Sequence, residues 1–569
     1  MLAPIRFLLL ALLTLSLIPS ARASDPQEWI RELGAIAVQE GGRTMPLDTY
    51  ARRLAVEVTG REKWGSGRGP AAYSGRHPMQ FLADLLFKGR GMLHEPLIGV
   101  DNRPFKELVG LDPARRFFSA TEIAASKGVN DLLAKHDEAR RLDPQASANR
   151  DQRRAIDLFS AGNRIAALAT DGRLPIVPGE PGKAFRLAGP TGGDPGTGSV
   201  SSALAAFGRA YAAGEPLDAH AASVRAAIDA LGVPTPADAR SVALESFYNR
   251  HAPWRWTQVL FGLAIVLFGL SRLFWRRAML ALALTATAAG TLEYVLGMAL
   301  RTAIVQRAPV SNTFEVLLWM GLVAIVIGLL AQLLVDRKSY YLFGSVVAAF
   351  ACVLFAGMVP LTDRTNSLPA VLRSNYWLII HVITIVSSYG VLAVAGVLGH
   401  VYLTRNVLLA RGTRPPTPPE PGPHRSPPLI VQTYRCIQIG LLLLTAGTIL
   451  GGVWAADSWG RFWGWDPKET WALISIVVYF AILHARYSRW IMDFGLAASA
   501  ILGFIVIVWT FYGVNYVMAS GLHSYGFGSG GEVWVGLWAA IELAFLVLCR
   551  VRFVAMRKRG SAPPSTAAA

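Results

Sequence analysis

Cysteine is nearly missing from this chain: three residues in 569, Cys352, Cys436 and Cys549. Each falls within or at the end of an apolar run, and none forms a C-x-x-C or C-x-x-C-H pattern. That excludes a thioredoxin-type dithiol and a covalently attached c-type haem on this chain. Residues 24–254 hold no cysteine, so no disulfide framework supports them. Charge is scarce as well, at 16% of residues against 53% hydrophobic. So apolar a composition excludes an ordinary soluble globular protein and a disordered one. It places the chain among polytopic membrane proteins with a soluble part attached.

The first apolar run is short. Arg6 precedes a twelve-residue apolar core, Phe7 to Ile18, and Ala21-Arg22-Ala23 supplies a small-x-small cleavage site. Residues 1–23 therefore read as a signal peptide cleaved before Ser24, since the core is too short to span comfortably. Nine later stretches have the length a bilayer core demands: 255–273, 278–299, 312–335, 340–360, 376–403, 434–454, 470–485, 492–513 and 532–549. The loops on one side carry seventeen basic residues, among them Arg272, Arg276, Arg277, Arg411, Arg425 and the tail 556–569. The opposite loops carry six: Arg301, Arg307, Arg364, Arg373, Arg461 and Lys468. The first set is expected in the cytoplasm. Exporting residues 24–254 and crossing nine times gives the same orientation. The net charge of +17 then reflects topology and attraction to anionic inner-leaflet lipid, and no nucleic-acid partner is required.

The expected fold is therefore all-α and polytopic, with about nine transmembrane helices and a largely helical extracytoplasmic domain over 24–254. In that domain, Thr121–Arg141 and Asn149–Leu168 have the spaced apolar positions of amphipathic helices. The Pro- and Gly-rich stretch 173–200 reads as a flexible loop or linker. Val38–Arg52 carries a turn at Gly41-Gly42, and Asp48 can open a helix. His77, His94, His136 and His220 lack ligand spacing and read as surface histidines.

The densest chemistry lies at 454–471, W-A-A-D-S-W-G-R-F-W-G-W-D-P-K-E-T-W. Five of the sixteen tryptophans fall here, Trp454, Trp459, Trp463, Trp465 and Trp471, interleaved with Gly460 and Gly464. Membrane anchoring places one or two tryptophans at a helix end. Five suggest a flat apolar platform that a planar ligand can approach, although a generous interfacial belt is the plainer alternative. Asp466-Pro467-Lys468-Glu469 reads as a helix start, with Asp466 as N-cap and Glu469 closing a capping box. On the expected topology His381 and His523 lie on the same side as this segment. Two neutral imidazoles flanking an aromatic surface suit the two axial positions of a haem iron. Zinc would want a third or fourth N/S ligand, which those loops do not offer. His484 follows Trp471 by thirteen residues, about 20 Å along a helix, in the inner part of the bilayer. An ionisable residue at that depth is functional by default. His400 lies near an inner helix end and reads as structural, while His424 sits in a Pro-rich cytoplasmic loop. His251 precedes the first span with no evident partner.

These residues resemble a family. W-G-R-F-W-G-W-D-P-K-E-T-W-A-L-I is similar to the tryptophan-rich "WWD" signature of the haem-handling proteins of cytochrome c maturation. With H-A-R-Y at 484–487, G-L-H-S-Y-G at 521–526 and Q-R-A-P-V-S-N-T-F-E at Gln306–Glu315, it resembles the CcsA (ResC) branch over about 255–555. Val38–Arg52 extends the resemblance more weakly.

The resemblance implies haem b as a transiently bound substrate, with His381 and His523 as axial ligands outside the membrane. His484 would bind haem within it, and Trp459, Trp463, Trp465 and Asp466 would belong to the haem-binding segment. It implies a component of a cytochrome c synthase that presents haem to an apocytochrome c bearing C-x-x-C-H. Thiol-reducing pathway proteins are further possible partners. Fused members carry a ResB-like portion that supplies a second transmembrane haem ligand. None is recognised in this chain, so a separate ResB-like membrane protein is implied. A membrane bis-histidine electron-transfer subunit is the alternative from a different class, and a solute transporter a third. No internal repeat favours the transporter.

Overall fold

A computed structural model describes residues 27–61, 70–143, 148–180, 183–334, 340–358, 376–410, 426–518 and 532–560. The signal-peptide reading of 1–23, the loop containing His424 and the segment containing His523 lie outside the described residues.

The N-terminal domain is mostly helical, with three small antiparallel sheets among the described residues. Ala37–Glu40 and Arg43–Pro46 form a hairpin in the register Val38↔Met45. Gly41 and Gly42 turn it at φ 58° and 74°, a left-handed pair that glycine adopts without steric cost. The helix Leu47–Thr59 follows directly, with Asp48 in its first turn. The expected helix over Thr121–Arg141 is broken: Ala120–Ala125 ends at Ser126, whose hydroxyl accepts from Val129 N and opens Lys127–Leu142. The expected helix over Asn149–Leu168 is present as Arg150–Thr170.

The stretch 173–200 is not a linker. Leu174–Val177, Arg186–Gly189 and Gly192–Gly193 form a three-stranded sheet, and a helix begins at Gly198. Its glycines serve close packing. A Cβ at Gly189 would stand 2.2 Å from the Gly172 carbonyl oxygen, and one at Gly193 2.4 Å from that of Leu187. His77 is likewise more than a surface residue, for its Nδ1 accepts from Met79 N at 3.2 Å and caps Pro78–Phe87.

Among the described residues nine helices follow: α1 Pro253–Leu270, α2 Arg276–Val305, α3 Thr313–Leu334, α4 Tyr340–Met358, α5 Tyr376–Leu403, α6 Pro428–Trp459, α7 Pro467–Tyr487, α8 Asp493–Val508 and α9 Glu532–Gly560. A π-helical segment, Trp509–Met518, extends α8. Among the described residues seven helices are long and apolar enough to cross a membrane, namely α1, α2, α3, α5, α6, α7 and α8 with their extensions. The stretches expected at 340–360 and 532–549 are helical too, as α4 and α9. The chain is an all-α polytopic membrane protein.

The two parts join at a sharp break. The helix Pro236–His251 ends at Ala252, φ 51°, and Pro253 opens α1. Asn249 donates to Thr49 Oγ1 at 2.8 Å and Asp48 Oδ2 at 3.2 Å, so the helix Leu47–Thr59 is tied to the helix that leads into α1. His251 does have a partner. Its Nε2 lies 2.8 Å from Glu293 Oε2 on α2, and its ring stacks on Phe247.

Within the bundle, glycines set the closest approaches, as expected where lipid offers no hydrophobic drive between helices. Side chains at Gly440 and Gly447 of α6 would collide with Leu392 and with the Cα of Ile385 on α5, at 2.4 and 2.8 Å. A Cβ at Gly399 of α5 would stand 2.6 Å from the Ala497 carbonyl oxygen of α8.

One acid-sensitive cap lies in the N-terminal domain. Glu122 closes a capping box with Ser119, and the Arg115 guanidinium, 2.6 Å away, holds its carboxyl down to about 2 from an ordinary 4.5. A depressed native value gives stability that is full above about pH 4.5 and is lost as pH falls through about 2. The full-length protein should therefore lose thermal midpoint over that window, and Glu122→Gln, which stands in for the protonated acid, should flatten that limb by lowering the neutral midpoint toward the acid one. An unchanged acid limb in Glu122→Gln would show that the pair adds nothing.

Candidate functional site

His381 lies in the second turn of α5, against α6. Its Nδ1 is 2.7 Å from the carbonyl oxygen of Gly447. A carbonyl only accepts, so Nδ1 carries the proton and the lone pair of the neutral ring sits on Nε2. This carbonyl-oriented imidazole is the arrangement in which a histidine ligates a metal. The ring lies parallel to that of Trp454, 4° between planes and 6.4 Å between centroids. Gly451 provides its seat: a Cβ there would stand 2.7 Å from His381 Cε1. A Cβ at the adjacent Gly452 would stand 2.6 Å from the Phe462 ring. The aromatic loop therefore folds back on the last turns of α6, and two successive glycines carry His381 and the loop. The Gly451-Gly452 pair escaped the reading of the sequence. Its signal was two adjacent glycines inside an otherwise apolar helix.

The loop is tightly specified. α6 ends at Trp459 with Gly460 in the left-handed conformation, φ 71°, and Gly460 N bonds the Ala456 carbonyl. Trp465 also adopts positive φ, 58°, an uncommon state for a bulky residue. Asp466 caps α7 by accepting from Glu469 N at 2.9 Å. Glu469 answers by accepting from Gly464 N at 2.7 Å and from Asp466 N. The capping box read from the sequence is present, and Asp466 is buried in that role.

The tryptophans do not form one five-membered surface. Trp454 is buried, because the α5–α6 interface encloses it. Trp471 meets Trp509 edge-on at 5.8 Å. Trp463 and Trp465 meet in a T-shape at 5.8 Å, and Trp465 and Phe462 are exposed at 69% and 49%. The accessible aromatic surface is thus the tip of the loop, with Trp454 beneath it. Trp459 lies at the end of α6. His523 lies outside the described residues, which end this stretch at Met518.

Gln306–Glu315 builds a buried ion cluster at the α2–α3 turn. Glu315, fully enclosed, accepts from Arg301 Nε at 2.9 Å, Arg307 at 3.0 Å and Ser311 N at 2.8 Å. Thr313 Oγ1 lies 2.6 Å from Tyr516 Oη, joining this turn to the π-helical segment.

His484 stands apart from all this, in the last turn of α7. It is exposed on the chain's own surface, with the Trp490 ring edge-on at 6.4 Å. Leu473, Val477, Phe480, His484 and Tyr487 recur at intervals of four and three, and all are exposed. This spacing makes one stripe along the helix. His400 is engaged at both nitrogens, Nδ1 with the Gly396 carbonyl at 2.9 Å and Nε2 with Glu542 Oε2 at 2.6 Å.

Overpacking at the seat gives a direct test. Gly451→Val should displace His381 and lower stability by ~1–3 kcal/mol, read as the thermal midpoint of the detergent-solubilised protein. Gly536→Val, where a Cβ meets nothing within 4 Å, should be nearly neutral. Equal midpoints for both variants would mean that the seat is not tight.

Comparison with known proteins adds four observations. The family model described as cytochrome C assembly protein matches residues 310–523. The cytochrome c biogenesis protein CcsA of Synechococcus sp. (strain CC9902) is 37% identical over 245 residues, covering 38% of this chain and 78% of that protein. NrfI of Wolinella succinogenes is 36% identical over 242 residues, 41% of this chain, and the match spans only 25% of that longer protein. Among solved structures, cytochrome c haem lyase CcmF superposes with a TM-score of 0.37 at 16% identity, covering 54% of this chain and 50% of that one.

Proposed function

The chain belongs to the CcsA family of cytochrome c biogenesis proteins, and from that premise we propose that it delivers haem across the cytoplasmic membrane and presents it for attachment to apocytochrome c. In this reading the aromatic loop faces outward, with the N-terminal domain on the same side. Haem b is the substrate, held edge-on against Trp463 and Trp465 and ligated axially by His381 and His523. The apocytochrome offers its C-x-x-C-H thiols to the vinyl groups, kept reduced by a thiol-reducing pathway. The protein's own work is to bind and orient.

One observation carries the reading. Nδ1 of His381 donates to the Gly447 carbonyl beside the aromatic loop, which puts the lone pair on Nε2.

The inner site supports a second chain. An imidazole on an exposed apolar stripe has no place facing lipid. His484 therefore reads as one ligand of a transient intramembrane haem, the other coming from a helix of a ResB-like partner seated on the stripe Leu473–Tyr487. His400 is a poor candidate, since an iron would have to displace Glu542 from it. The same engagement weakens the bis-histidine electron-transfer reading, which needs a facing pair inside this chain.

Two sets of experiments test this. His381→Ala or His523→Ala should lower holocytochrome c by ~10-fold or more with the chain still in the membrane, and added imidazole should restore part of it. Normal maturation in either variant would end the two-ligand reading. Loss of the partner and His484→Ala should each stop haem reaching the outer site, while His400→Ala should be mild. A severe His400→Ala defect, with delivery intact in the absence of the partner, would place both inner ligands on this chain. For orientation, Ser458→Cys should react with an impermeant thiol reagent in intact cells and Thr417→Cys should not. The native cysteines are buried and give little background. The opposite labelling pattern would reverse the topology.

A further inference from the structure

One lysine fastens the start of α7 to the π-helical segment. Lys468 donates from Nζ to the Thr510 carbonyl and to Asn515 Oδ1, each at 3.2 Å. It also lies 5.6 Å from the centroid of the Phe511 ring. The two acceptors are five residues apart, one turn of a π-helix, whose altered ladder opens its backbone to outside donors. A second tie lies two turns along α7. Ser475 Oγ is 2.8 Å from Thr510 Oγ1, which also reaches the Trp471 carbonyl at 3.3 Å.

An ammonium taken from water to the end of a helix bundle is costly unless its hydrogen bonds are made, and here they are made to the π segment. Lys468 also lies between the two halves of the candidate site. On one side, its neighbours Asp466 and Glu469 hold the aromatic loop, down to Gly464 N. On the other, Phe511 packs on Tyr389 of α5 at 6.2 Å, two turns along the helix from His381. A continuous set of contacts therefore runs from the loop through Lys468 and Phe511 to the helix bearing His381.

We propose that Lys468 is a positioning residue, pinning the π segment to the first turn of α7 and so fixing the aromatic loop relative to His381. The proposal rests on the reading that the loop and His381 hold haem. Lys468 touches neither; it acts through the loop and through α5.

The test uses the full chain, produced together with its partner, solubilised and purified with the haem it acquires in the cell. Haem per chain and the absorption spectrum are recorded for wild type, Lys468→Met, Asn515→Ala and the double variant. Lys468→Met should reach the membrane at normal levels and hold about tenfold less haem, as when an outer support of a ligand is lost. The remaining haem should be partly high-spin and return to low-spin with imidazole. Asn515→Ala should lose less, because the Thr510 carbonyl remains. The double variant should be no worse than Lys468→Met, since both changes remove the same tie. Unchanged haem content and spectrum in Lys468→Met would overturn the proposal. So would losses that multiply in the double variant, which would mean that the lysine meets haem itself. Should Lys468→Met not accumulate, Asn515→Ala decides alone, and a wild-type spectrum there is equally fatal. A wild-type chain without haem would instead sink the haem reading of the site, and the proposal with it.

Discussion

The close contact of α5 with α6 governs the rest of the membrane part. Gly440, Gly447 and Gly451 lie along one face of α6, and each stands where a side chain would collide with α5. The backbones approach because there is no Cβ between them. That approach brings the Gly447 carbonyl within reach of His381 and makes room for its ring at Gly451. A single alanine-sized addition along this seam would change the spacing of the helices and the aim of the imidazole together.

Around the seam, a set of polar groups gathers at the end of the bundle that carries the aromatic loop. The Arg301–Glu315–Arg307 cluster, the Thr313–Tyr516 pair, the Lys468 contacts and the Asp466–Glu469 box lie in neighbouring turns of α2, α3, the π segment and α7. Each buried charge has partners, as it must in surroundings that penalise unpaired ions. The result is a rigid rim around an exposed aromatic tip. Phe462 and Trp465, at the tip of the loop, stand clear of it.

Much of this was written locally in the sequence. Apolar runs of bilayer length gave each of the seven helices that, among the described residues, are long and apolar enough to cross a membrane, and Asp466-Pro467-Lys468-Glu469 announced the start of α7 because a capping box is a short-range device. The hairpin at Gly41-Gly42 was equally local. What could not be read depends on pairing between distant segments. Trp454 looked like part of a flat surface and proved to be core, because burial is decided by α5, some seventy residues earlier. The Pro- and Gly-rich stretch 173–200 looked like a linker, yet its glycines permit strands to meet at distances no side chain allows. The partner of His400 is Glu542, and that of His251 is Glu293. No spacing rule connects either pair.

The exposed position of His484 bears on how the chain sits in the bilayer by itself. Alone, the chain presents a polar ring on an outward face of α7; in the proposed complex a second helix hides it. Leaving that ring against lipid is costly, so the lone chain and the paired one would differ in how firmly α7 is held in the bilayer.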